Sequence, residues 1–219
     1  MSPRRYKVDR RRATMEETRR RIVEATVALH AEKGSTATTY AMIAKRADVA
    51  VPTVYNHFPD PAALYEACTG HVRARAPALG PQIFEGASDV GARVAALVRA
   101  VFASHRFMAP WMRRGVHEAV LVPELGKVVI EARKRLVQLI AMALAPRFGG
   151  APPGKLMAIF EILVDFTAWQ RLTDDGALPD GEAEGAAIGA LMAIIGTYDL
   201  PGRHDRTADT VPVKPRRPS

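Results

Sequence analysis

Apolar residues recur at helical spacing through most of the chain, and no stretch alternates with the period of two that a half-buried strand needs. Ile22, Ala25, Thr26 and Leu29 make one inward face. The spacing predicts a helix that begins at Thr14, where Thr14 and Glu17 stand as a capping box, and that closes at Gly34 in a left-handed cap. Between residues 38 and 64 the pattern shortens to two brief helices and a tight turn. Ile43, Ala44 and Ala47 form the buried stripe of the first, Val49 follows in the turn, and Val54 and Phe58 are the inner side of the second. Asp60 reads as the N-cap and Pro61 as the first residue of the next helix, which carries Leu64 and runs toward Arg75.

The character changes at residue 77. Residues 77–88 are rich in Pro, Gly and Ala and read as a loop with one short helical turn. Ser88 or Asp89 then caps a helix to about His105, and Pro110 starts another. A long helix starts at Pro123 and is expected to stop before Pro146. Two final helices are expected over about 155–172 and 182–198. The pattern therefore predicts an all-α chain. It has a basic arm at 1–13, a small three-helix head at 14–76, a larger helical domain at 77–200 and a Pro-rich flexible tail at 201–219.

The second short helix leaves Thr53, Tyr55, Asn56 and His57 outside: hydroxyls, an amide and an imidazole, with no acid among them. That chemistry suits phosphate oxygens and base edges, as on a recognition helix lying in a major groove. Ile43-Ala44, Ala47, Val49, Thr53-Val54-Tyr55, His57-Phe58 and Leu64, within a match of roughly 16–76, resemble the DNA-binding domain of the TetR family of bacterial transcriptional regulators. The resemblance and the exposure pattern together place Thr38, Thr39, Tyr40, Lys45, Val51, Pro52, Thr53, Tyr55, Asn56 and His57 at the DNA. Tyr55 and His57 are expected on phosphates, Thr53 on a phosphate or base edge, and Asn56 on a base.

Three departures from the family pattern bear on this. Asp48 stands where the family has Gly in the turn, and Asp accepts positive φ better than most residues. Ala50, which cannot cap, replaces a Ser or Thr, and Pro52 partly compensates by pre-organising the first turn. Pro61 replaces a Lys that would meet a phosphate.

Composition fits this picture without deciding it. The chain has 219 residues, 48% hydrophobic and 25% charged, with a net charge of +8. A pI near 10.0 makes a polyanionic partner reasonable. Arg4, Arg5, Arg10, Arg11 and Arg12 make the arm a candidate for phosphates or a minor groove, with a plain solvated tail as the alternative. Arg19, Arg20 and Arg21 are read as candidates for the DNA backbone or as solvated. The lone Cys68 excludes an intramolecular disulfide and reads as a buried inert thiol. With no apolar run behind the N-terminal arginines and no membrane-length stretch, a cytoplasmic protein with no membrane partner is expected. No metal-ligand spacing, phosphate-cradling Gly loop or nucleophile elbow stands in the chain, so no enzyme, metal or cofactor is expected.

The last two helices are apolar around most of their circumference and so need cover on two sides. Either a monomer core supplies it or a second copy does. The TetR resemblance implies the second, a homodimer interface with Gly185, Gly189, Met192 and Ala193 at close approach. It also implies a small-molecule site among the middle helices, for an apolar or amphipathic ligand. Candidate lining residues are Phe102, His105, Phe107, Met108, Trp111, Met112, His117, Met157, Phe160, Asp165 and Trp169; ordinary core is the alternative for each. Asp165 alternatively pairs with an Arg or caps a helix. The function implied is a ligand-responsive repressor that binds double-stranded operator DNA. An activator or constitutive DNA binder of the same fold, and a small helical enzyme with a vestigial head, are the other readings.

Overall fold

Two separate hydrophobic cores divide the molecule. The computed structural model describes residues 3–199, with side chains from 8 to 198; the expected tail at 201–219 lies outside the described residues. Among them the chain is helical with no strand. The helices are α1 (Pro3–Lys33), α2 (Tyr40–Ala47), α3 (Val51–His57), α4 (Pro61–Arg73), α5 (Val90–Glu118), α6 (Pro123–Phe148), α7 (Gly154–Leu163), α8 (Phe166–Gln170) and α9 (Asp180–Gly196). The loop after α4 holds a 3-10 turn, Pro81–Phe84, as the Pro- and Gly-rich composition suggests.

The head core contains every apolar position of the predicted stripes except Val49, which is half-buried. Ile22, Val54 and Phe58 are fully enclosed, and Thr26 is buried with its hydroxyl donating to the Ile22 carbonyl at 2.7 Å. Gly34 adopts φ +87° and ends α1, and Asp48 takes the left-handed conformation at φ 53°. Asp60 accepts from the Ala62 amide at 3.0 Å, with Pro61 behind it at the helix start. Cys68 is buried, and desolvation pushes its thiol up to about 12, so it stays protonated and inert at neutral pH.

Four boundaries differ from the sequence expectation. α1 does not begin at Thr14: it extends back to Pro3, so the basic segment before Thr14 is helical. Thr14 is no cap, because its hydroxyl donates to the Arg10 carbonyl inside the helix. The helices expected on either side of Pro110 are one helix, α5, and α6 runs past Pro146 to Phe148. Both prolines are exposed, so the carbonyls they leave unpaired stand on the wet side of the helix, while the opposite side stays packed. The helix expected over 155–172 is broken at Val164, and Asp165 starts α8 by accepting from the Ala168 amide at 2.6 Å.

The second core is built by α5, α6, α7, α8 and α9, with Phe102, Leu97, Ile140, Leu144, Phe160 and Leu191 fully enclosed. Phe58 is the keystone of the smaller core, and truncating a buried Phe costs about 3–5 kcal/mol. Phe58→Ala should lower unfolding stability by that amount in denaturant titration.

Candidate nucleic-acid interface

Seven residues are too few for α3 to hold itself in water, so its position depends on ties from outside. It has no side-chain cap at Ala50, and Pro52 sits in its first turn, as expected. The other end is fixed from α1. Arg19 donates to the His57 carbonyl at 3.0 Å and lies over the Phe58 ring at 4.1 Å. Arg21 donates to the Ala47 carbonyl and, at 2.8 Å, to that of Asp48, closing the turn between α2 and α3. Tyr40 donates its hydroxyl to the Phe58 carbonyl at 3.0 Å and packs its ring 4.7 Å from that of Tyr55. Arginines at helix C-termini also complement the negative end of each helix dipole.

What remains outside is the surface that the apolar pattern implies. Val51, Pro52, Tyr55 and Asn56 are exposed, and Thr53 and His57 are half-buried. Tyr55 is 54% exposed, its ring braced by Tyr40. Lys45 on α2 is exposed. Three other expected DNA-facing residues have internal work: the Thr38 hydroxyl donates to Gly34, Thr39 caps α2 by accepting from the Met42 amide, and Tyr40 is tied to Phe58. The arginines at 19–21 are likewise engaged, with Arg20 between Glu17 and Glu24. No local spacing announces the ties of Arg19 and Arg21, whose partners lie 26 to 38 residues away.

Residues 22–68 match the family model of bacterial regulatory proteins, tetR family. Over these residues the head is similar to the DNA-binding domain of that family. No curated protein sequence matches the chain. Solved structures resemble it over both domains. One is a protein described as a transcriptional regulator from Saccharomonospora viridis, in complex with choline: 21% identical, TM-score 0.60, covering 83% of this chain and 96% of its own. A transcriptional regulator from Rhodococcus sp. Rha1 is 18% identical with TM-score 0.57, covering 82% and 96%. A protein described as a TetR-family regulator from Rhodococcus sp. is 20% identical with TM-score 0.57, covering 82% and 99%. At these identities the likeness is one of fold. No helix among the described residues is long and apolar enough to cross a membrane.

Behind the head, the candidate ligand residues separate into two groups. His105 lies at the centre of the first, its ring 6.2 Å from Phe102, 5.6 Å from Phe166 and 6.2 Å from Trp169. Its Nε2–H donates to the Val164 carbonyl at 2.9 Å, at the break that Asp165 caps. Burial pushes the His105 imidazole below its ordinary range, against the opposing pull of Val164 and Asp165, which keeps it neutral. Phe160 is fully buried in the same core, and Met112 and Met157 pack at its edge. The Trp169 indole N–H is buried without an acceptor among the described residues. The second group departs from the expected cluster. Trp111 donates to the Val27 carbonyl of α1 at 2.9 Å, with Phe107 beside it, and so joins the two domains. His117 is exposed and Met108 half-buried. On α9, Gly185, Gly189 and Ala193 are exposed, whereas Met192 is half-buried against its own core.

The end of α5 is hydrogen-bonded to the head. Glu118 accepts from the Ser35 amide at 2.8 Å and hydroxyl at 2.5 Å, and from the Thr36 hydroxyl at 2.8 Å. Arg114 adds a bond to the Ala31 carbonyl at 3.2 Å. A side chain on Gly34 would strike the Glu118 carboxylate, so this glycine serves both the αL cap and the close approach. Burial works to raise the Glu118 carboxyl, but the hydrogen bonds from Ser35 and Thr36 outweigh it and hold it below its ordinary 4.5. The unfolded chain therefore takes up the proton first as pH falls. The contribution of this contact is full above about pH 4.5 and is lost as pH falls through the folded value. Glu118→Gln should remove that part of the acid dependence, and should speed amide hydrogen exchange at Ser35 and Thr36 at neutral pH.

Proposed function

We propose that this chain is a homodimeric, ligand-responsive transcriptional regulator that represses by occupying double-stranded operator DNA. The carrying observation is the α3 surface: exposed, free of acid, and braced from behind by Arg19, Arg21 and Tyr40. Tyr55 and His57 take phosphates, Thr53 takes a phosphate or base edge, and Asn56 reads a base. The lysine that a head of this kind would use at the start of α4 is Pro61 here, so basic charge has to come from elsewhere.

The dimer reading is supported by the outer side of α9. A Cβ added at Gly185 or Gly189 meets no atom within 4 Å, and Ile162 on α7 is 65% exposed. A second copy laid against this side lets two helices approach closely at the glycines. Two heads would then face half-sites about one helical turn, roughly 34–36 Å, apart.

The ligand reading is supported by the aromatic group around His105 and the unpaired Trp169 indole N–H. An apolar or amphipathic ligand carrying a hydrogen-bond acceptor would satisfy that donor. The choline held by the Saccharomonospora viridis protein is a small ligand in a chain of this fold. Ligand-induced repacking against α5 would be carried to the head through Glu118, Arg114 and Trp111.

Two experiments test this. The full chain should select a duplex from a randomised pool, and Tyr55→Phe should weaken selected and unselected duplexes by the same factor, because phosphate contacts position and do not specify. Equal affinity for both proteins would remove Tyr55 from the interface, and recovery of no duplex would overturn the DNA reading. In sedimentation, the unmodified chain should be a dimer at micromolar concentration. Gly189→Leu has room in the monomer, yet should weaken the dimer by about 1–3 kcal/mol, roughly 5- to 150-fold.

A further inference from the structure

The helical extension of α1 changes what the basic N-terminal segment is. Val8, Arg11, Arg12 and Met15 form one wall of an open notch of about 600 Å³, and Asn56 and His57 of α3 form its floor. These α1 residues recur at spacings of three and four and so lie on one face. That face continues through Arg19 into the buried Ile22 and Val23, but beyond Arg19 the head ends and leaves it uncovered. Val8 is 62% and Met15 55% exposed.

The charge of the wall is basic. Its only acid is Glu16, which is paired with Arg12 at 2.9 Å, and Asp9 does not line the notch. Arg11 makes no ion pair among the described residues. Arg19, at the root of the notch, is fixed to the His57 carbonyl. From Arg19 back to Val8 the helix projects by about 16 Å at ~1.5 Å per residue.

We propose that this extension is a second, rigid DNA-contacting wall. A phosphate strand placed on Tyr55 and His57 has to leave the end of α3 through the notch, where Arg11 and Arg12 meet its next phosphates. Because the floor is the end of α3 itself, any duplex seated on α3 passes beside the wall. A helix ordered before binding loses less entropy on docking than a flexible arm with the same charge. The inference rests on the DNA-binding reading and extends it from one helix to two.

The test uses the full chain and the tightest duplex it recovers from a randomised pool. Arg11→Gln with Arg12→Gln should lower affinity for selected and unselected duplexes alike. It should also flatten the plot of log affinity against log salt by up to about 1.8, from ~0.9 for each lost phosphate contact. Trimming the flanking base pairs should weaken the unmodified protein and leave the double variant unchanged. A second variant, Ala13→Gly with Thr14→Gly, keeps every charge and interrupts the helix; it should lose affinity at unchanged salt slope. Circular dichroism and denaturant titration confirm that the head remains folded in both. Equal affinity and slope for the unmodified protein and the arginine variant would overturn the wall while leaving α3 as the reader. Full affinity in the glycine variant would overturn its rigidity and return the segment to a flexible arm. Failure to recover any duplex would overturn the DNA reading and the wall with it.

Discussion

A seven-residue helix has no independent existence in water, and the presentation of α3 depends on that fact. The chain resolves it by making α1 a spine. Arg19 and Arg21 stand two positions apart on α1 and terminate α3 and α2 respectively, each donating to carbonyls that a helix end leaves without partners. Phe58 beneath Arg19 and Tyr40 beside Tyr55 complete the brace. The outer surface of α3 is thus left to side chains that make none of these hydrogen bonds: Tyr55, its ring against Tyr40, and Asn56 are exposed, and Thr53 is half-buried. Bracing from α1 and α2 lets the exposed side chains of α3 vary while the helix stays in place.

The same logic governs the joint between the domains. α5 is long enough to belong to the second core along most of its length and to reach the head with its last turns. Trp111, Arg114 and Glu118 lie at spacings of three and four, so they form one line on α5 facing α1 and the loop behind it. The exposed side of Pro110 begins this segment. Hydrogen bonds from hydroxyls and backbone amides to one carboxylate are strong enough to define a geometry. They also break over a short displacement, unlike a packed apolar interface, because their strength falls steeply with distance and angle.

Local chemistry in the sequence predicted most of the head and less of the second domain. The caps at Gly34, Asp48 and Asp60 were legible because each follows from a residue's own backbone preference, and so were the stripes of Ile43, Ala47, Val54 and Phe58. The exposed set on α3 followed from those stripes. The failures have one physical form: local signals were overridden by solvent or by distant partners. Thr14 has the chemistry of a cap but sits mid-helix, and Pro110 and Pro146 have the chemistry of breakers but face water. Conversely, Asp165 does interrupt a run that reads as continuous and apolar. Residue type alone assigns Trp111 and His117 to a ligand site and Met192 to an interface; in the folded chain Trp111 bonds to α1, His117 is exposed, and Met192 is half-buried against its own core.

The indole N–H of Trp169 and the imidazole of His105 are polar groups in one aromatic core, and among the described residues only the second has a partner. His105 is satisfied because the chain breaks between α7 and α8 and offers it the Val164 carbonyl. Trp169 lies four residues beyond the Asp165 cap, in the helix that this break creates, yet has no such acceptor. A buried donor left unpaired costs on the order of 1–3 kcal/mol. A well-packed aromatic site does not need to carry that cost, since a Phe would fill similar space without a donor. The break at Val164 therefore supplies an acceptor to one polar group and not to the other. The two rings lie on opposite sides of the same contact between α5 and α8, and α5 is the helix that ends at Glu118. Through the His105–Trp169 contact, α8 thus packs on the element that grips the head.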